Sequence, residues 1–354
     1  MDNNQNIETE KVHKRRVRYK GTHPRTYAEK YKEQQPEKYA DTIEKVIRKG
    51  STPAGMHISI CVKEILEFLQ IKPGQKGLDA TLGYGGHTSK MLECLEGNGH
   101  VYGLDIDPIE IEKTKKRLAD KGFGDNIFTA INTNFANIDE VAKEYGPFDF
   151  VLADLGVSSM QIDNPERGFT YKYDGPLDLR LNPHKGISAA QRLENIREDE
   201  LEGMFIENSD EPYAAEIAKA IVERNRKGQK ITTTLMLKDV IEEALSFIPQ
   251  KERKEAVKKS CARTFQALRI DVNNEFEVLY EFMEKLPECI KPGGRAAILT
   301  FHSGEDRLVK KALKSGYKAG IYSDYAKDVI RPSAKECAQN GRARSTKMRW
   351  AIKK

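Results

Sequence analysis

Cysteine is scarce in this chain and never clustered. There are five in 354 residues, at positions 61, 94, 261, 289 and 337, and no CxxC pair. That pattern speaks against a disulfide framework and against a zinc knuckle, and it fits a reducing cytoplasm. Long apolar runs are missing too. None approaches the ~18 residues that cross a bilayer. The opening MDNNQNIETEK has no apolar stretch of the kind a secretory signal carries, so neither a membrane nor export is expected. What remains is a globular composition, 38% apolar and 32% charged, with length for one large domain plus an insertion, or for two domains.

Charge is unevenly spread. The net value is +5, but residues 1–55 hold 13 Lys and Arg against 8 Asp and Glu, and residues 331–354 hold 8 against 1. The middle is therefore near −7 (5 − 5 − 7). Basic ends on an acidic body fit a polyanionic partner, most simply nucleic acid, with an ordinary solvated tail as the alternative at each end. In the first of them, HKRRVRYKGTHPR (13–25) interleaves arginine with Tyr19 and His23. Such an arm can track phosphates and stack on bases, or simply be mobile.

The chain is organised around GLDATLGYGGHTSKML (77–92). It reads as a strand ending in Asp79, a turn crowded with Gly83, Gly85 and Gly86, and a helix. Glycines let backbone approach a ligand, and a helix start offers free N–H groups. The next strand, HVYGLDID, ends in Asp105 and Asp107, about 20 residues on, where a ribose hydroxyl is held in nucleotide-binding βαβ units. A dinucleotide-dependent dehydrogenase shares that arrangement, but the glycines here run GxGG rather than GxGxxG. A third strand is predicted within 126–138, with Phe135 beyond it as either core or adenine platform. PFDFVLADLGVSS (147–159) is a nearly continuous apolar strand, as in the centre of a parallel sheet, and it ends in Asp154. Several strand-end acids would thus rim one crevice.

From about residue 160 the strand–helix rhythm breaks. A long polar loop with aromatics leads into helical patterns through Lys259, with Ser188 and Thr232 as predicted N-caps. The α/β pattern resumes with a helix, a tight turn at KPGG (291–294), a buried strand at RAAILTFHS (295–303), and a last strand, KMRWAI, expected at the sheet edge. The fold class is α/β, a doubly wound sheet with a helical insert. The expected boundaries are a basic arm at 1–55, a sheet domain at 56–160 and 271–354, and an inserted substrate-binding subdomain at 161–270.

Seven words, in order, resemble one family: GLDATLGYGGHTSKML, GLDIDP, DLGVSSMQIDNPERGFTYKYDGPLDLRL, SAAQRLEN, RTFQALRIDVNNE, KPGGRAAILTFHSGEDR and GRARSTKMR. Spanning about 57–350, they resemble the ribosomal RNA small subunit methyltransferase H family, the MraW type. The resemblance implies a Rossmann-like methyltransferase sheet, S-adenosyl-L-methionine as cofactor, and methyl transfer to N4 of a decoding-site cytidine in 16S ribosomal RNA. It further implies that Gly85, Gly86 and His87 contact the methionine part, that Asp105 holds the ribose, that Phe135 lies by the adenine, and that Asp154 and Gln161 complete the pocket. The expected partners are 16S rRNA or the small ribosomal subunit, with a homodimer as an open arrangement. No metal is expected. The chain departs from the family at Ser59, Gly304 and Gly341 and carries the extra arm, as a divergent or second-copy member would.

Cytosine N4 is a poor nucleophile because its lone pair is shared with the ring, so acceptors aimed at its hydrogens would help. This chain has DLGVSS where many amino-methyltransferases have (D/N)PPY. Asp154 is one candidate acceptor, with Ser158, Ser159 and His302 as further candidates for orienting the base. Phe169, Tyr171 and Tyr173 are either a stacking lid or packing for their loop. Arg167, Arg180, Arg263 and Arg269 either hold RNA phosphates or brace that loop through Asp163, Asp174 and Asp178.

Overall fold

The computed structural model describes residues 59–158, 161–162 and 164–354. The basic arm, Ser159 and Asp163 lie outside the described residues.

Seven strands form one sheet: β1 (Lys76–Asp79), β2 (His100–Asp105), β3 (Phe128–Asn132), β4 (Phe148–Asp154), β5 (Ile290–Thr300), β6 (Tyr322–Tyr325) and β7 (Lys347–Lys353). Their order is β3-β2-β1-β4-β5-β7-β6. Pairs among the first five are parallel, and β7 runs antiparallel to both neighbours. This is a Rossmann-like methyltransferase sheet. It differs from the six-strand 3-2-1-4-5-6 order of dinucleotide-binding folds by the antiparallel strand threaded between β5 and β6. β4 lies centrally because both of its faces are apolar. Val151 and Ala153 join one hydrophobic cluster while Phe150 and Leu152 join the other, as the two-residue strand period requires.

Helices cover both faces. In chain order they begin with α1 (Val62–Leu69), α2 (Gly86–Cys94), α3 (Pro108–Asp120) and α4 (Ile138–Tyr145). Between β4 and β5 come α5 (Ala189–Asn195), α6 (Glu198–Ser209), α7 (Ala214–Arg226), α8 (Thr234–Ala244), α9 (Gln250–Asn273) and α10 (Glu275–Cys289). Then follow α11 (Ser303–Lys318) and α12 (Ala334–Gln339). Helices α5 to α9 share their own core, built on Leu193, Phe205, Ile217, Ile221, Leu237 and Leu268. α10 instead packs Leu279, Phe282 and Leu286 into the sheet's cluster. The junction is a single residue, Asn274, in the left-handed region at φ 50°.

Four expectations need correction. KMRWAI is internal rather than at the edge, because the short polar strand β6 (YSDY) lies outside it and shows no apolar alternation to announce itself. KPGG does not turn but lies inside β5, where the pairing with β4 slips. Gly293 takes φ +76° there, and a Cβ on Gly294 would meet Asp149 O at 3.0 Å, so the glycines accommodate a bulge. Thr233, not Thr232, caps α8, while Ser188 does cap α5 in a reciprocal box with Gln191. Asp107 is not a free strand-end acid: it caps α3, accepting from Ile109 N and Glu110 N, with Pro108 in the first turn.

Candidate active site

The carboxyl ends of β1, β2 and β4 open onto a cavity of about 580 Å³, within the ~300–1,000 Å³ usual for ligand pockets. One end is floored by the glycine turn. Gly85 takes φ +77°, and a Cβ on it would lie 2.6 Å from Thr114 Cγ2. A side chain is therefore excluded both by backbone conformation and by space. The turn is held from α3, where Thr114 Oγ1 donates to Gly83 O and the Arg117 guanidinium donates to Tyr84 O while lying 3.6 Å from the Tyr84 ring centre. Neither Thr114 nor Arg117 stands out in the sequence, since nothing local marks them as partners of a turn 30 residues earlier.

Three acids surround this end. Asp79 is almost fully buried and accepts from Thr88 Oγ1 at 2.6 Å and Thr81 N at 3.1 Å. Asp105 accepts from Gly83 N and Asp107 N, both at 2.8 Å. Burial outweighs these hydrogen bonds and lifts its carboxyl to about 6. Asp154 is likewise raised to about 6, chiefly by burial, with His87 opposing and Asp79 and Glu305 adding to the shift. Its Oδ2 lies 3.4 Å from His87 Nδ1, while Oδ1 is shielded from solvent and has no hydrogen-bond partner. His87 Nε2 is 2.9 Å from the Ile60 carbonyl, which can only accept, so Nε2 carries a proton.

The other sequence-predicted residues divide into those that face the cavity and those spent as braces. Phe135 does two things: it lines the cavity and packs edge-on against Phe282, 5.2 Å between centres. Gln161 lines the cavity, but its amide donates to Asp107 Oδ2 and accepts from Ser158 N. Ser158 in turn accepts from Gln161 N. Arg167 is a brace. It pairs with the fully buried Asp107 at 2.7 Å and donates to the carbonyls of Arg180 and Leu181. Arg180 forks onto Asp178 at 2.8 and 2.6 Å. Asp174 accepts from Leu235 N instead of an arginine. Phe169 belongs to the core of the α5–α9 helices while touching the cavity, Tyr171 lines it against Phe265, and Tyr173 is exposed and away from it.

A further polar wall of the cavity holds Arg269 and His302, named as candidates from the sequence, with Glu275 and Glu305, which were not. Arg269 forks onto Glu275, both contacts at 2.7 Å, and the carboxylate outweighs the burial that would weaken the cation's charge. Glu305 is buried and accepts from Phe301 N at 2.7 Å. Its other oxygen is 3.1 Å from His302 Nε2, within ion-pair reach but out of line for a hydrogen bond. Burial works to raise the Glu305 carboxyl, yet His302 and the Phe301 N–H hold it below its usual value. His302 Nδ1 is buried without a partner. Glu275, His302 and Glu305 place three ligand atoms within 4.8 Å of one another, but Arg269 already occupies Glu275. Asn340, Arg342 and Ser345, from the C-terminal turn, close the rim. A second hollow of about 660 Å³ beside Asn195 and Asn225 contains none of these groups.

A mostly parallel sheet with strand-end carboxylates around a glycine turn defines a cofactor-binding α/β protein, and the antiparallel β7 between β5 and β6 departs from the dinucleotide-binding order. Residues 54–354 match the MraW methylase family, and the chain belongs to it. It is 72% identical over 344 residues to ribosomal RNA small subunit methyltransferase H 1 of Agathobacter rectalis, covering 97% of this chain and 99% of that one. It is 62% identical to ribosomal RNA small subunit methyltransferase H 2 of Alkaliphilus metalliredigens, over the full length of both. Ribosomal RNA small subunit methyltransferase H of Carboxydothermus hydrogenoformans is 39% identical and covers 84% of this chain and 97% of its own. The numbered relatives therefore align through most of the N-terminal arm.

Proposed function

We propose that this chain transfers a methyl group from S-adenosyl-L-methionine to N4 of a decoding-site cytidine in 16S ribosomal RNA. Family membership and the names of the relatives support the reading. The observation that carries it is one continuous cavity lined both by the glycine turn with its acids and by residues of the inserted segment. The small ribosomal subunit is the partner and the cytoplasm the setting, which the five free cysteines suit. Residues 161–270 serve as the substrate-binding subdomain, supported by their separate core.

The residues present fit the cofactor. The buried, unpartnered Oδ1 of Asp154 wants a donor, which an amino-acid ammonium supplies. Asp105 keeps a lone pair on each oxygen for ribose hydroxyls. Gly85, Gly86 and His87 offer backbone to the methionine part, and Phe135 an apolar face to the adenine. When bound, the cofactor supplies a methyl carbon activated by its positive sulfur. The chain's own task is to hold N4 in line with that carbon, about 3 Å away. Acidic oxygens at the cavity, Asp154 among them, accept from the amine and keep its lone pair on nitrogen. Ser158 and His302 orient the ring.

The test incubates the protein with methyl-labelled cofactor and small subunits from a strain lacking it, then maps the label. Label on N4 of one cytidine is the expected result. Label on another base or on protein would overturn the substrate, and no transfer at all would overturn the activity. For Asp154, the Asp154→Asn variant is expected to slow transfer even at saturating cofactor. Loss of cofactor affinity alone would leave Asp154 as a binding group only.

A further inference from the structure

Several arginines sit on the segments that supply cavity residues, and most of them are spoken for. Arg167, Arg180, Arg269 and Arg349 are each matched to a carboxylate, on Asp107, Asp178, Glu275 and Asp306. Their charge is neutralised locally, and they fix loops and helix ends. Arg263 and Arg344 differ: among the described residues neither has a hydrogen bond or ion pair. Arg263 is half-buried on α9, directly after Ala262 and one turn before Gln266, both of which line the cavity. Arg344 is exposed in the Gly341–Ser345 turn, whose Arg342 and Ser345 line the same cavity.

That turn is pinned. Ala343 is fully buried, Asn340 Oδ1 accepts from Arg342 N at 3.1 Å, and Thr346 N donates to Ala343 O at 3.0 Å. The helix before it is tied to the start of the described chain, since Cys61 N donates to Glu336 Oε1 at 2.8 Å. Glu336 is also the one acid among residues 331–354, against eight basic residues. Arg344 is thus an uncompensated cation on a fixed support. Anchoring a turn this firmly while leaving its arginine unmatched makes sense if the match arrives from outside.

We propose that Arg263 and Arg344 grip RNA phosphates at the mouth of the cavity, one from the inserted helices and one from the C-terminal turn. The inference rests on the RNA reading above and adds where the strand is held. A nucleotide drawn out of its stack into a pocket costs a few kcal/mol, and contacts to the flanking backbone offset that cost without reading sequence. Two grips on different walls would hold the strand while its base enters between them.

The test measures binding of the full chain to a 16S rRNA transcript over a range of salt, for wild type, Arg263→Ala and Arg344→Ala. Each lost phosphate contact should flatten the slope of log K against log salt by about 1. Each variant should keep the wild-type cofactor affinity and melting temperature, because neither arginine has an internal partner to lose. Arg180→Ala serves as a control and should lower the melting temperature. Slopes equal to wild type in both variants would overturn the grip while leaving the RNA reading intact. A wild type that binds the transcript without salt dependence would overturn the RNA reading and the grip with it.

Discussion

At the scale of single residues, the site depends on groups placed where they are costly. Gly85 is one. An L side chain at φ +77° carries a strain of ~1–2 kcal/mol, and its Cβ would press on Thr114. Gly85→Ala is therefore expected to lose at least about tenfold in cofactor affinity by calorimetry. Asp105 and Asp154 are the other case. Burial has lifted both carboxyls to about 6, so each favours the folded state fully below its unfolded value near 3.8 and loses that contribution as pH rises through 6. In the ligand-free protein these two groups make the fold firmer on going from pH 7 toward 5. Cofactor binding should show the opposite trend, because hydroxyl and ammonium donors need the ionised carboxylates. Affinity should fall by roughly tenfold per pH unit for each carboxylate as pH drops below 6, and titration at pH 5, 6 and 7 would show whether it does.

At the scale of elements, α3 organises the glycine-turn end of the cavity. Thr114 and Arg117 hold the glycine turn, and Asp107 at its start anchors the loop after β4 through Arg167 and Gln161. Removing Arg167 leaves a fully buried carboxylate with its cap and one amide as its remaining partners. Arg167→Ala should cost about 3 kcal/mol in denaturant unfolding, the scale for breaking a buried pair from one side. A loss below about 1 kcal/mol would mean that water reaches Asp107. The same element shows what the sequence discloses. Strand, glycine turn and helix are contiguous, so the turn and the strand-end acids could be located from spacing alone. The braces could not, because Arg167 meets Asp107 across 60 positions and composition does not encode such pairings. Hence Arg167, Arg180 and Arg269 remained ambiguous between phosphate binding and bracing until their carboxylate partners were visible.

For the whole molecule, the helical insert and the parallel sheet were legible as period changes, whereas the order of the last strands was not. β6 is four polar-rich residues with only Tyr322 buried, and it displaced KMRWAI from the edge it was expected to occupy. The polar wall of the cavity was legible only in part: Arg269 and His302 stood out as candidates, but Glu275, Glu305 and Arg342 join them from three segments that converge only in three dimensions. The cysteines offer a probe of the whole fold. Burial pushes the Cys61 and Cys261 thiols up to about 12 and that of Cys289 to about 11, while Cys94 and Cys337 are only partly covered. Native protein at pH 8 should therefore react with a thiol reagent at Cys94 and Cys337 alone, and the other three should appear together on unfolding. Rapid labelling of all five in native buffer would contradict that packing.

Asn274 is the elbow between a helix rooted in the insert and a helix rooted in the sheet, and the Arg269–Glu275 fork spans it like a strut. The bend is therefore locked by two short charged contacts rather than left to a loop. The direction in which the inserted helices leave the sheet at this junction passes through that single residue. A joint braced this way behaves as a rigid caliper, and loosening the strut should free the angle between the two helices before it unfolds either of them.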